Sequence, residues 1–142
     1  MSEADPPLGA QDWLEMALKE VQAARVLGQA MLWGQCYHHA GFAVECALKF
    51  RIMRRYGLNR WPRRYGNRRL YSHNLVELAS EAGLTLILEE EALAGTERGI
   101  AFLIAKDWSN ETRYDPRDFP YVRAQDMLSA VDGGLLSWLL QP

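Results

Sequence analysis

Cys36-Tyr-His-His-Ala-Gly-Phe-Ala-Val-Glu-Cys-Ala-Leu-Lys-Phe-Arg-Ile-Met-Arg-Arg-Tyr56 decides the fold class. Ala40, Ala43, Ala47 and Phe50 recur at three- and four-residue spacing, and Val44 and Leu48 widen the stripe. That is the period of a helix, not the strict alternation of a half-buried strand. His38, Glu45 and Lys49 fall on another face, with Glu45 one turn before Lys49, the favourable order for a helical ion pair. Gly57 is the expected stop.

Upstream, Trp13, Met16, Ala17, Val21, Ala24, Leu27 and Met31 trace a single apolar stripe, which predicts a first helix from about Gln11 that ends at Gly34. Downstream, Leu58 to Tyr71 reads as a long connection containing Pro62 and Gly66. Ser72 is the expected N-cap of a third helix that turns Leu75, Leu78 and Ala79 inward and closes at Gly83. Thr85 is the expected cap of the next segment, whose Glu89-Glu-Glu91 suits the positive end of a helix. Gly95 and Gly99 divide this region, the second piece carrying Ile100, Leu103, Ile104 and Trp108. After a loop from Ser109 to Pro120, Tyr121, Ala124, Leu128, Val131, Leu135 and Trp138 predict a regular last helix. Its Gly133-Gly134 pair costs roughly 1–2 kcal/mol of propensity, and close contact with a neighbouring backbone is the expected compensation. Leu135 to Leu140 is apolar nearly all round, the pattern of a helix buried on two sides, one of them open to a second subunit. No hairpin signal separates apolar runs, so the expected fold is all-α, an up-and-down bundle of four or five helices. Residues 1–10 read as a flexible tail and 11–142 as one domain, without repeats or an internal linker.

With 142 residues, 49% apolar and 24% charged, the chain has the balance of a globular domain. No apolar run approaches the ~20 residues of a membrane span. Met1 to Pro7 is acidic and proline-bearing, unlike a secretion signal, so a cytoplasmic location is expected. Cys36 and Cys46 on one helix would stand roughly 15 Å apart, beyond disulfide reach, and lack the histidines of a zinc site. No metal or cofactor is expected: there is no glycine-rich phosphate loop, no metal-ligand cluster and no Ser or Cys nucleophile motif.

Charge is the informative feature. From Cys46 to Val76 there is no Asp or Glu, while Lys49, Arg51, Arg54, Arg55, Arg60, Arg63, Arg64, Arg68 and Arg69 account for nine of 16 basic residues. The rest of the chain carries 18 acidic against seven basic residues, a balance of −11. Tyr56, Trp61, Tyr65 and Tyr71 interleave with the arginines. Guanidinium groups hold phosphate bidentately and exposed rings stack on bases, so this segment is the expected nucleotide- or RNA-binding surface. His73, beside the expected cap, sits where the helix dipole favours anions. His39 reads as a partly buried core histidine and His38 as the better candidate for a polar cleft.

Three segments together resemble a known family. Helix 2 holds Glu45-Cys-Ala-Leu-Lys49, the third helix opens with Ser72-His-Asn-Leu75, and Thr112-Arg-Tyr-Asp-Pro116 precedes the last helix. Their order, spanning about residues 12 to 139, is similar to the HEPN domain (higher eukaryotes and prokaryotes nucleotide-binding). The resemblance implies a four- or five-helix bundle, a homodimer, binding of nucleotide or RNA, and a minimal nucleotidyltransferase encoded alongside as a partner. Some members are metal-independent ribonucleases of toxin–antitoxin or defence systems, with an Arg-x(4–6)-His motif at the start of the last helix. That motif is not intact here: Arg113 is in place, but no histidine follows His73. Arg68-Arg-Leu-Tyr-Ser-His73 matches the spacing but stands before the third helix. Whether the chain is an enzyme is therefore left open, with His73 and Arg113 as catalytic candidates. The binding candidates are Lys49, Trp61, Arg63, Arg64, Arg68, Arg69, His73, Arg113 and Tyr114. The alternatives are the ribonuclease and a non-catalytic module that docks a protein partner.

Overall fold

The structure, a computed structural model, describes residues 8–109 and 119–142, and among these it is helical without strands. α1 (Ala10–Gln29) and α2 (Trp33–Tyr56) form the central antiparallel hairpin. α1 buries Trp13, Ala17, Val21 and Ala24, as the stripe predicts. α2 is far more enclosed than its stripe suggests, since every residue from Ala43 to Phe50 is buried. A helix covered all round needs neighbours on all sides. α3 (Leu75–Glu81), α6 (Tyr121–Ala130) and α7 (Leu136–Leu139) supply them together with α1. α4 (Thr85–Ala94) and α5 (Glu97–Ala105) make an outer pair, and α5 leans on α6. No helix of the described residues is long and apolar enough to cross a membrane.

Several boundaries differ from the sequence expectation, each for a local reason. The first turn comes before Gly34: Met31 adopts a left-handed conformation (φ 61°), its N–H donating to the Gly28 carbonyl and that of Leu32 to the Leu27 carbonyl. Two hydrogen bonds that close the helix end outweigh the small cost of a left-handed methionine, which is 70% exposed. Leu8, expected in the tail, is tied to the domain, its carbonyl accepting from the Trp61 N–H at 2.7 Å. At α3 the cap is Asn74, not Ser72: Asn74 Oδ1 accepts from the Glu77 N–H at 3.0 Å, while Ser72 Oγ accepts from the Asn74 N–H. Leu84, not Thr85, holds the N-cap position of α4. Gly95 does end that helix, at φ 72°, and Thr96 caps α5 through the Gly99 N–H. In α5 the buried face is Ala101, Phe102 and Ala105, followed by Trp108; Ile100, Leu103 and Ile104 are outside.

The last helix is interrupted. α6 passes into a π-helical segment, Val131–Leu135, and then into α7. Gly134 takes φ 141°, which only glycine adopts freely, and a Cβ at Gly133 or Gly134 would meet nothing within 4 Å. The glycine pair serves this bulge and not the close helix contact expected from sequence. Leu135, Leu136 and Leu139 are buried within the chain, and Trp138 is covered by Arg51 and Arg98, so the apolar pattern here does not call for a second subunit.

Two ion pairs tie the helices at the surface. Arg25 holds Asp132 through two hydrogen bonds of 2.9 and 2.6 Å, and Arg98 holds Glu91. The guanidinium hydrogen bond lowers the carboxyl pKa in each pair. A lowered folded-state pKa means that the stabilisation is full above the unfolded value, roughly pH 4, and fades as pH falls through the folded one. Asp132→Asn is expected to flatten the acid limb of the stability–pH curve, by at most about 1 kcal/mol for so exposed a pair, as read by urea denaturation between pH 2 and 6.

Two glycines predict opposite outcomes. A Cβ at Gly99 would lie 2.3 Å from the Ala92 nitrogen and the Glu91 carbonyl carbon, so Gly99→Ala must push α4 from α5. A loss of about 1–3 kcal/mol is expected. Gly133→Ala meets open space and should gain about 0.5–1 kcal/mol. Thermal denaturation of the two variants decides both.

Candidate functional site

The site starts from Glu45 and Lys49, four residues apart and so on one face of α2. Their ion pair forms as the spacing predicts, Lys49 Nζ donating to Glu45 Oε2 at 3.1 Å. It forms in the interior, however, with Glu45 only 1% and Lys49 5% exposed. The seal is aromatic. Lys49 Nζ lies 5.0 Å from the Trp13 ring and 5.6 Å from the Trp61 ring, and the two indoles meet edge to face at 5.2 Å. Trp61 reaches this place because the loop after α2 folds back on α1 through its N–H bond to Leu8.

The second oxygen of Glu45 points at His73, 28 residues away, and Oε1 accepts from Nδ1 at 2.8 Å. A carboxylate only accepts, so Nδ1 carries the proton in this contact and Nε2 is left for another partner. His73 is held here by the one-turn 3-10 helix Arg68–Tyr71 and by the Ser72 and Asn74 hydrogen bonds that follow it. Its side chain is half exposed while that of Glu45 is not, so the histidine is the surface end of a hydrogen-bonded chain that begins inside the protein.

At that surface Arg64, Arg68, Tyr71, Ser72 and His73 line an open cavity of about 360 Å³. Arg64 stacks on Tyr71, guanidinium carbon to ring centre 4.9 Å, and the Tyr71 hydroxyl donates to the Pro62 carbonyl at 2.7 Å. Two cations, a phenol ring, a hydroxyl and an imidazole thus face one space, a set of donors suited to phosphate and to a flat base.

The other expected site residues lie elsewhere. Lys49 and Trp61 are inside and offer no surface to a phosphate or a base; they are the support beneath His73. Among the rings expected on the surface, Tyr65 is 97% and Tyr56 51% exposed. Arg63 is exposed on the loop beside the cavity. Arg69 turns away and pairs with Glu81 Oε1 at 2.7 Å. Arg51, Arg54 and Arg55 line a separate pocket at the far end of α3. Arg113 and Tyr114 lie outside the described residues. His39 makes an ion pair with Glu20 of α1, and His38 lies among the rings of Phe42, His39 and Trp108, away from the His73 cavity. Burial pushes the thiols of Cys36 and Cys46 up, so neither is a ready nucleophile. No group of three or more His, Cys, Asp or Glu residues suited to a metal occurs among the described residues.

Comparison of the chain with protein-family models, with characterised proteins and with solved structures finds no match.

Removing one partner of a buried pair leaves the other charge unpaired, which costs about 3–5 kcal/mol, whereas replacing both by apolar groups is often near neutral. Glu45→Ala is expected to lose that much stability, and Glu45→Ala with Lys49→Met to recover most of it. Urea unfolding of both variants is the measurement; a double variant no better than the single one would contradict the burial described here.

Proposed function

We propose that this chain is a HEPN-like domain that binds nucleotide or RNA by its phosphates in the cavity between Arg64, Arg68, Tyr71 and His73. The observation that carries this reading is a cavity lined by two arginines and by an imidazole that a buried carboxylate holds from behind. A histidine placed only to finish a helix end needs no such support. Of the residues that resemble the family motifs, Lys49 and His73 each contact Glu45. A homodimer and a minimal nucleotidyltransferase partner belong to the same proposal through that resemblance.

A metal-independent ribonuclease is the second reading, favoured by the Glu45–His73 pair. In it Nε2 takes the proton of the ribose 2′-hydroxyl as that oxygen attacks the phosphorus. The bond to the 5′-oxygen breaks and that oxygen takes a proton from water, leaving a cyclic phosphate, while Glu45 steadies the imidazolium. Arg64 and Arg68 then balance the charge that grows on the phosphoryl oxygens.

Binding of a fluorescent single-stranded RNA is expected to weaken with rising salt, log K falling by about 0.7 per phosphate contact for each decade of salt. Arg64→Gln with Arg68→Gln should reduce the affinity at least tenfold; unchanged affinity would refute the proposal. Cleavage in the presence of a chelator, lost in His73→Ala, identifies the ribonuclease. Tight binding with intact RNA leaves the non-catalytic reading.

A further inference from the structure

The pocket at the far end of α3 takes no part in the site described above. Arg51, Arg54 and Arg55 from the last turns of α2 line it with Ala82, Gly83, Leu84, Gln141 and Pro142, and its volume is about 490 Å³. One arginine has a structural duty: Arg55 donates to the carbonyls of Ser80 and Glu81, closing the end of α3. The other two do not. Arg51 lies over Trp138 and Arg54 over Phe50, and neither has a carboxylate partner among the described residues. Ring stacking fixes a guanidinium in place without consuming its hydrogen-bond donors.

The two basic pockets are the two ends of one helix. Ser72 and His73, just before α3, line the first, and Ala82 to Leu84, just after it, line the second. Seven residues at ~1.5 Å rise, with the flanking turns, set them roughly 10–15 Å apart. Two arginines flank the surface between, both engaged with Glu81. Arg69, next to Arg68 of the first pocket, binds the Glu81 carboxylate at 2.7 Å, and Arg55 of the second pocket binds the carbonyl of the same residue at 2.8 Å. Tyr71 lines the first pocket under Arg64, and Tyr56, outside the lining of the second, lies under Arg55, which is part of that lining.

We infer that the Arg51–Arg54–Arg55 pocket is a second phosphate site on the same strand, and that the ligand is a single-stranded oligonucleotide and not a mononucleotide. The inference rests on the reading of the His73 cavity proposed above. A single phosphate occupies one pocket at a time, while a strand occupies both. At the duplex rise of about 3.4 Å per nucleotide the span is three or four steps, and an extended strand covers it in fewer. Tyrosines beside each pocket offer faces to unstacked bases, which a duplex does not present. One carboxylate opposes the path: Glu77 is exposed, lies one turn before Glu81, and has no ion pair among the described residues.

The test is fluorescence anisotropy with a 5′-labelled RNA dinucleotide and a 5′-labelled RNA decamer, over a salt series. Wild type should bind the decamer at least tenfold more tightly. Arg51→Gln with Arg54→Gln should remove most of that advantage, lower the decamer's salt slope by about 1.4, and leave the dinucleotide unaffected. Glu77→Gln should tighten the decamer two- to fivefold. Circular dichroism melting of each variant separates loss of contact from loss of fold. Decamer affinity that falls in Arg64→Gln/Arg68→Gln but holds in folded Arg51→Gln/Arg54→Gln overturns the second pocket and spares the first. Affinity that neither pair changes overturns the underlying reading itself.

Discussion

A carboxylate shut away from water costs several kcal/mol unless cations and hydrogen bonds replace the lost solvent, and Glu45 meets that demand from two directions. Lys49 answers from one turn along the same helix and His73 from across the loop. The first contact is local and forms with the helix. The second ties the end of a long connection to the middle of the core, so the path of residues 58–73 is set by an electrostatic requirement more than by its own propensities. Trp13 and Trp61 complete the arrangement by excluding water from the ammonium group. The external consequence is a histidine whose ring is oriented from within.

The acid-free stretch poses a related problem, because nine cations share a stretch of sequence that holds no acid and repel one another. Lys49 finds Glu45, and rings steady several of the others; Arg51 and Arg54 have no carboxylate partner among the described residues. Arg51, Arg54, Arg55 and Arg64 each lie against an aromatic side chain, on Trp138, Phe50, Tyr56 and Tyr71. A cation–π contact contributes only about 0.5–2 kcal/mol, but it places the charge without neutralising it. The positive potential therefore survives folding, gathered at the two ends of α3. Arg69, which does find a carboxylate in Glu81, is the member withdrawn from that field.

Much of this was legible in the order of residues. The stripes of α1 and α2, the stop at Gly57, the inward set Leu75, Leu78 and Ala79, and the Glu45–Lys49 pair all follow from helical period. The burial of that pair was not, because spacing shows which residues share a face and not what covers it. Apolar neighbours on every side, Ala43, Val44, Cys46, Ala47 and Leu48, are the signal that the face is enclosed. The contact of His73 with Glu45 depends on loop geometry that no period encodes. The fate of Trp61 turns on the same loop: an aromatic residue among arginines looks like a platform until the chain folds it inward. The division of the arginines between two pockets follows from the position of α3 between them, which lies beyond one-dimensional pattern.

The π segment at Val131–Leu135 changes the phase of everything that follows. Gly134 leaves helical geometry inside it (φ 141°, ψ −25°), so the residues beyond do not continue the phase of α6. In that register Leu135, Leu136 and Leu139 face the core, and Trp138 lies between Arg51 and Arg98. A regular helix through the same residues would carry the indole to a different azimuth and strip Arg51 of the ring that steadies it. Gly134 thus acts as a gear tooth, coupling the set of the terminal rod to the aim of a cation on a separate helix.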